Sequence, residues 1–181
     1  MGISSQLNAD PKVIVGNNPD SKVIKLGIRN KLPTYCINDK NFPREYNSPD
    51  KAILEKMIKH DVNLIILAGY MKKLGDLILE SYPNRILNIH PSLLPKYGGQ
   101  GMYGRKVHEA VIASNDKLSG ATIHLVNKEY DCGKIIAQCT VPIYIKDNAD
   151  SLERRILNFE HILYSQALID IGKGIINLDD I

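Results

Sequence analysis

"RILNIHPSLLPKY", Arg85 to Tyr97, is the stretch on which the reading of this 181-residue chain turns. Its first half is an apolar run of strand type, yet Asn88 and His90 interrupt it and Pro91 follows at once. Side chains alternate along a strand, so Asn88 and His90 share one face while Leu87 and Ile89 point to the other. Proline cannot donate to a ladder, and it biases the residue before it towards extended backbone. The polar pair therefore sits at the strand's C-terminal end, the edge of an open α/β sheet where ligands bind. An amide donor and a titratable ring there can stabilise a developing oxyanion and move a proton. The plainer alternative is that both residues tie down the following loop. Their pairing and the abrupt exit weigh towards chemistry without naming a reaction.

Outward from this strand, short β-branched runs alternate with helical periods. "VNLIILAG" (Val62 to Gly69) has the continuous apolar character of a strand covered on both faces. Upstream, "KVIVG" reads as a strand closed by "NNPDS", "KVIKLGIRN" as a short helix, and "TYCI" as a brief strand. Ser48-Pro49 caps a helix whose expected stripe is Ile53, Leu54, Met57 and Ile58. "LGDLILESY" and "GRKVHEAVIAS" read as helices on either side of the quoted stretch, and "GATIHLVN" and "KIIAQCTVPI" as strands. Asp150 and Glu153 are the expected capping box of a last long helix with the stripe Leu152, Ile156, Phe159, Leu163 and Ala167. This alternation predicts an α/β chain of Rossmann-like type, a mostly parallel twisted sheet with helices on both faces, in a single domain over residues 1–181.

The totals bound the function. Hydrophobic residues make up 44% and charged residues 24%, ordinary for a globular domain, and no apolar run approaches the ~20 residues of a membrane helix. The opening "MGISSQLNADPK" lacks the basic-then-apolar build of a signal peptide, and Gln6 stands where a myristoylation motif wants Ser or Thr. A net charge of +3 with the two signs mixed argues against nucleic acid as the main partner. The three cysteines lack zinc-type spacing, no metal-ligand cluster is evident, and a reduced, cytoplasmic protein is expected.

"NIHPSLLPKY" resembles the signature of the folate-dependent formyltransferases, most closely those that formylate glycinamide ribonucleotide. "LAGYMKKL", "GMYGRKVHEAVI" and "SGATIHLVNKEYDCGKIIAQ" resemble further blocks of that family in order and spacing, and the likeness covers about residues 10 to 170. The resemblance implies the formyltransferase fold and places Asn88, His90 and Asp131 on the family's catalytic asparagine, histidine and aspartate. The implied reaction moves a formyl group from 10-formyltetrahydrofolate, the co-substrate, to the amine of glycinamide ribonucleotide in purine synthesis. No metal and no covalent nucleophile are required, and a monomer or homodimer acting on small molecules is expected. By the same likeness Asp131 orients His90 and favours its charged form. Tyr70, Met71, Lys72, Leu74 and Ile86 match the folate pocket, and the backbone of Asn127, Lys128, Glu129, Tyr130 and Asp131 meets the pteridine-like ring edge. Pro91 and Glu160 fall on the ribonucleotide side. Alone, Glu160 is an edge carboxylate beside an apolar stripe. Thr122 and His124 alternate onto one strand face in a supporting role, and His108 packs or hydrogen-bonds behind the site.

The pattern departs from the family at the start. There the family carries a strand, a Gly-rich turn and a helix whose N-terminus holds the substrate phosphate. Here Gly2 to Leu7 can be laid on that turn, with Ser4, Ser5 and Gln6 as its polar members, while the strand and most of the helix are reduced. A formyltetrahydrofolate deformylase, and a catalytically silent folate or nucleotide binder, are therefore the alternatives. The deformylase ranks lower because the chain reads "NIHPSLLP" and has no room for the regulatory domain usual in that family.

Overall fold

Residues 7–42 and 48–181 are described by the computed structural model, and they divide into two units. The first unit comprises Ala9–Ile65 and Leu74–Pro83; the second holds Ile66–Lys73 and Asn84–Ile181, together with Leu7 and Asn8.

In the first unit β1 (Ile14–Gly16) pairs in parallel with β2 (Thr34–Cys36), and α1 (Lys22–Arg29) makes the connection between them. The helix α2 (Pro49–Lys59) starts as expected, with Ser48 Oγ accepting from Lys51 N and Pro49 in the first turn. Its buried face differs by one flank: Ala52, Ile53 and Met57 are buried, whereas Ile58 is 64% exposed. Ile53 and Met57, four residues apart, form the line that meets the core, and each further residue turns ~100° around the axis, so the two flanks cannot both be covered. The carboxylate of Asp50 in α2 accepts from Gly75 N at 3.1 Å and so caps α3 (Asp76–Ser81).

Apart from Ile65, the second unit contains a four-stranded sheet in the order β3 (Ile65–Leu67), β4 (Ile86–His90), β5 (Leu118–Leu125), β6 (Ile135–Pro142). β3 is shorter than its apolar run and is not covered on both faces, because alternation turns Ile66 outwards to 44% exposure. The α/β class holds, and the last three strands add an antiparallel meander to it: β4 pairs with β5, and β5 with β6, in opposite directions. Residues 126–134 join β5 to β6 without a helix, and a parallel return needs a crossover of roughly a dozen residues or more.

Helices α4 (Arg105–Ala113) and α5 (Ala149–Gly172) pack on this meander through Val107, Val111, Leu152 and Ile156 against Ala121 and Val141. The capping box of α5 is formed by Asn148 and Ser151 rather than Asp150 and Glu153. Asn148 keeps the extended backbone that a capping residue requires, while Asp150 already lies inside the first turn. Of the expected α5 stripe, Leu152, Ile156 and Ala167 are buried, and Phe159 is 37% exposed.

Just before α5, Asp147 accepts two hydrogen bonds from Arg155, at 2.6 and 2.7 Å, with Arg155 lying 4.3 Å from the Tyr144 ring centroid. The Arg155 hydrogen bonds hold the Asp147 carboxyl well below the usual carboxylate range. Asp147→Ala leaves Arg155 without this acceptor and is expected to cost about 2 kcal/mol in a urea titration.

Candidate active site

The register of β4 against β5 sets Asn88 opposite His124 and His90 opposite Thr122. Four polar side chains thus share one face near the end of β4. Asn88 Nδ2 lies 3.2 Å from His124 Nε2, and His124 Nδ1 donates to Leu125 O at 2.8 Å. That tautomer leaves Nε2 to accept one of the two amide hydrogens of Asn88 and fixes the amide's orientation. The second hydrogen remains for a substrate oxygen.

His90 Nε2 donates to Tyr97 O at 2.7 Å, and its Nδ1 stands 3.5 Å from Asp131 Oδ2. The other oxygen of Asp131 is 3.5 Å from His124 Nε2. One carboxylate therefore sits between two imidazoles. Asp131 reaches this place from the β5–β6 loop with a positive φ of 55°, a backbone region in which Asp is enriched. Gly99 N donates to Asp131 Oδ2 at 2.9 Å from a φ of 98°, and a Cβ on Gly98 would come within 3.1 Å of Asp131 Cβ. The glycine pair after Tyr97 is thus what lets the loop close on the carboxylate.

Asp131 favours the charged form of His90 but does not by itself decide its charge. Burial pushes His90 below the ordinary imidazole value; Asp131 and the Tyr97 carbonyl push it up without prevailing, and His124 adds to the lowering. Asp131 therefore does not keep His90 charged at rest, because a ring 3% exposed loses more from desolvation than a carboxylate 3.5 Å away restores. Burial also pushes Asp131 up, but His124, His90 and Gly99 together hold it below the ordinary carboxylate value. The resting pair is an ionised Asp131 beside a neutral His90, ready to take up a proton as negative charge develops.

Thr122 is wholly buried and acts on the loop. Its hydroxyl donates to Ser92 O at 2.6 Å and accepts from Leu94 N at 3.1 Å, while Gln138 Nε2 donates to Thr122 Oγ1 and to Leu94 O. His108 on α4 is 3% exposed with Nδ1 unpaired among the described residues, and burial lowers its pKa. Pro91 follows His90 directly, and Glu160 lies on α5. Burial, then Glu153, raise the Glu160 carboxyl. A raised carboxyl favours the fold only when protonated, and this contribution is lost as pH rises through the folded-state value. Glu160→Gln is accordingly expected to raise Tm at pH 7.

Of the folate-side positions, Ile86 and Leu74 are buried, Tyr70 is half-buried, and Met71 and Lys72 are exposed. Asn127, Lys128, Glu129 and Tyr130 are exposed and lie outside any strand, with Lys73 Nζ 5.6 Å from the Tyr130 ring centroid. An exposed main-chain segment thus leads into Asp131. Ser4, Ser5 and Gln6 lie outside the described residues. Sequence reading missed the Tyr97 carbonyl, the Gly99 amide and Gln138, the first two because a main-chain group carries no residue-type signal. No group of three or more metal-ligating side chains occurs among the described residues.

A half-buried amide, a buried imidazole and a carboxylate converging at the C-terminal end of an α/β strand define a site suited to attack on a carbonyl-type carbon. The chain belongs to the formyl transferase family, which matches residues 3–168. It is similar to the chloroplastic phosphoribosylglycinamide formyltransferase of Arabidopsis thaliana, 39% identical over 163 residues, which are 90% of this chain and 56% of that protein. The phosphoribosylglycinamide formyltransferase of Bacillus subtilis is 34% identical over 161 residues, 89% of this chain and 80% of that protein. The crystal structure of phosphoribosylglycinamide formyltransferase from Bacillus halodurans superposes with a TM-score of 0.86 at 31% identity, covering 97% of this chain and 87% of that one. The chain spans little more than half the length of the plant relative.

Proposed function

We propose that this chain transfers the formyl group of 10-formyltetrahydrofolate to the amine of glycinamide ribonucleotide, a step of purine biosynthesis. The observation that carries this reading is the convergence of Asn88, His124, Asp131 and His90 at the end of β4, with one carboxylate 3.5 Å from each of two imidazoles. The similarity to enzymes named phosphoribosylglycinamide formyltransferase supports the choice of substrates.

The amine attacks the formyl carbon, a C–N bond forms, and the carbonyl π pair moves onto oxygen. Asn88 Nδ2 donates its free hydrogen to that oxygen. The attacking amine's proton passes through water and by way of Asp131 to His90 Nδ1, and the resulting imidazolium stabilises the oxygen by its charge. The intermediate collapses by breaking the bond to the folate nitrogen, which receives that same proton back through water as it leaves, so that His90 returns to its neutral form. Tyr70, Met71, Lys72, Leu74, Ile86 and the segment Asn127 to Tyr130 are assigned to the folate side; Ser4, Ser5, Gln6, Pro91 and Glu160 are assigned to the ribonucleotide side. We assign the whole chain to one formyltransferase domain, a monomer or homodimer acting on small molecules in the cytoplasm, without nucleic acid or membrane. Among the described residues no helix is long and apolar enough to cross a membrane.

The test is an absorbance assay of release from a formyl-dideazafolate, with and without glycinamide ribonucleotide. Release that requires the ribonucleotide is expected. Release to water alone would replace the transferase by a deformylase. Folate binding with no release would leave a silent binding protein.

A further inference from the structure

The hydroxyl of Tyr164, on α5, stands between two main-chain carbonyls of neighbouring strands, 3.1 Å from Leu67 O and 3.0 Å from Leu87 O. Val126 N takes Ile86 O at 2.9 Å from beyond the end of β5. Successive carbonyls of a strand point to opposite sides, so Leu87 O faces β3. Leu67 is the last residue of β3. A phenol from a helix thus meets both strands at this point, and its one O–H proton is shared by two main-chain acceptors.

What each carbonyl leads to gives this bridge its meaning. Leu67 is followed by Ala68, Gly69 at a φ of 67°, and then Tyr70, Met71 and Lys72 on the folate side. Leu87 immediately precedes Asn88. We propose that Tyr164 is a positioning residue for formyl transfer: its hydroxyl sets the distance between the end of β3 and β4, and so places the formyl-donor segment 68–72 relative to the Asn88 amide. This inference rests on the formyl-transfer reading above. Burial raises the Tyr164 phenol far above its ordinary value, so the group remains a donor throughout the working pH range.

Tyr164→Phe keeps the ring and removes only the hydroxyl. Steady-state kinetics with each substrate varied, urea unfolding, and the side-chain amide resonances of Asn88 in the ligand-free protein together decide the matter. The variant is expected to lower kcat on the order of tenfold, about what one hydrogen bond of ordinary strength supplies. It also raises KM for the formyl donor severalfold, leaves KM for the ribonucleotide within twofold, and shifts the Asn88 amide signals. Incorporation of a ring-fluorinated tyrosine at position 164, which keeps the hydroxyl, retains wild-type kinetics. A lowered urea midpoint with kcat, both KM values and the Asn88 signals unchanged would reduce Tyr164 to a packing residue and overturn the proposal. A wild-type chain that transfers nothing would instead remove the proposed function, and the Asn88 signals would then decide the positioning role by themselves.

Discussion

His90→Ala is expected to lower kcat by roughly 10²–10⁴-fold, the range for losing a positioned proton-transfer group, with KM for either substrate within a few-fold of wild type. The ring is 3% exposed and meets Tyr97 O on one side and Asp131 on the other. In the proposed mechanism it takes up a proton in the transition state, so its removal acts on kcat and kcat/KM alike. Steady-state assays over both substrates check this; a loss confined to KM would show that His90 only binds. The same variant carries a stability signature. Burial holds His90 below the free-imidazole value near pH ~6.5, so the native state binds fewer protons than the unfolded chain in the window below that pH. The sign follows: stability is fully present above pH ~6.5 and is lost as pH falls through the folded-state value. His108 is lowered by burial in the same way and contributes the same slope. His90→Ala removes one of the two, so its Tm is expected to fall less than that of the wild type between about pH 7 and pH 5.

Asn88→Ala is expected to lower kcat by roughly 10²–10³-fold, the effect of deleting one preorganised donor to an oxyanion. The preorganisation comes from His124, whose Nε2 engages the amide at 3.2 Å while its Nδ1 is committed to Leu125 O. Replacing His124 with Phe therefore tests the same donor without touching it: the amide regains rotation, and kcat is expected to fall less than in Asn88→Ala. Assaying the single variants and the double variant settles the relation. Full additivity of the two losses would mean that His124 acts independently of Asn88.

The legible part of the site lay in residue types at strand spacing. Asn88 and His90 announced themselves because polar side chains break an apolar strand immediately before a proline, and Thr122 and His124 because they alternate on the strand that pairs with it. Asp131 had no such signal, being one loop aspartate among several, and only its family resemblance singled it out. The helix starts at Ser48-Pro49 were readable from local chemistry, while the start of α5 was misplaced by two residues because Asn148 and Asp150 are equally good caps by type. Burial stripes were less legible. Ile58 and Phe159 belong to apolar periods yet remain exposed, since the period says which residues share a line and not which flank meets a partner.

The sequence by itself determined the α/β class, the order of most elements, and the placing of an amide and an imidazole at a strand end, since all three follow from short-range periodicity and from what proline forbids. Tertiary structure alone decided the charge state and the geometry of the site. Whether His90 rests neutral depends on burial against a nearby carboxylate, and that carboxylate arrives from a loop 41 residues along the chain. The partners of His90 and Asp131 include the Tyr97 carbonyl and the Gly99 amide, groups that every residue carries and that only folding can aim.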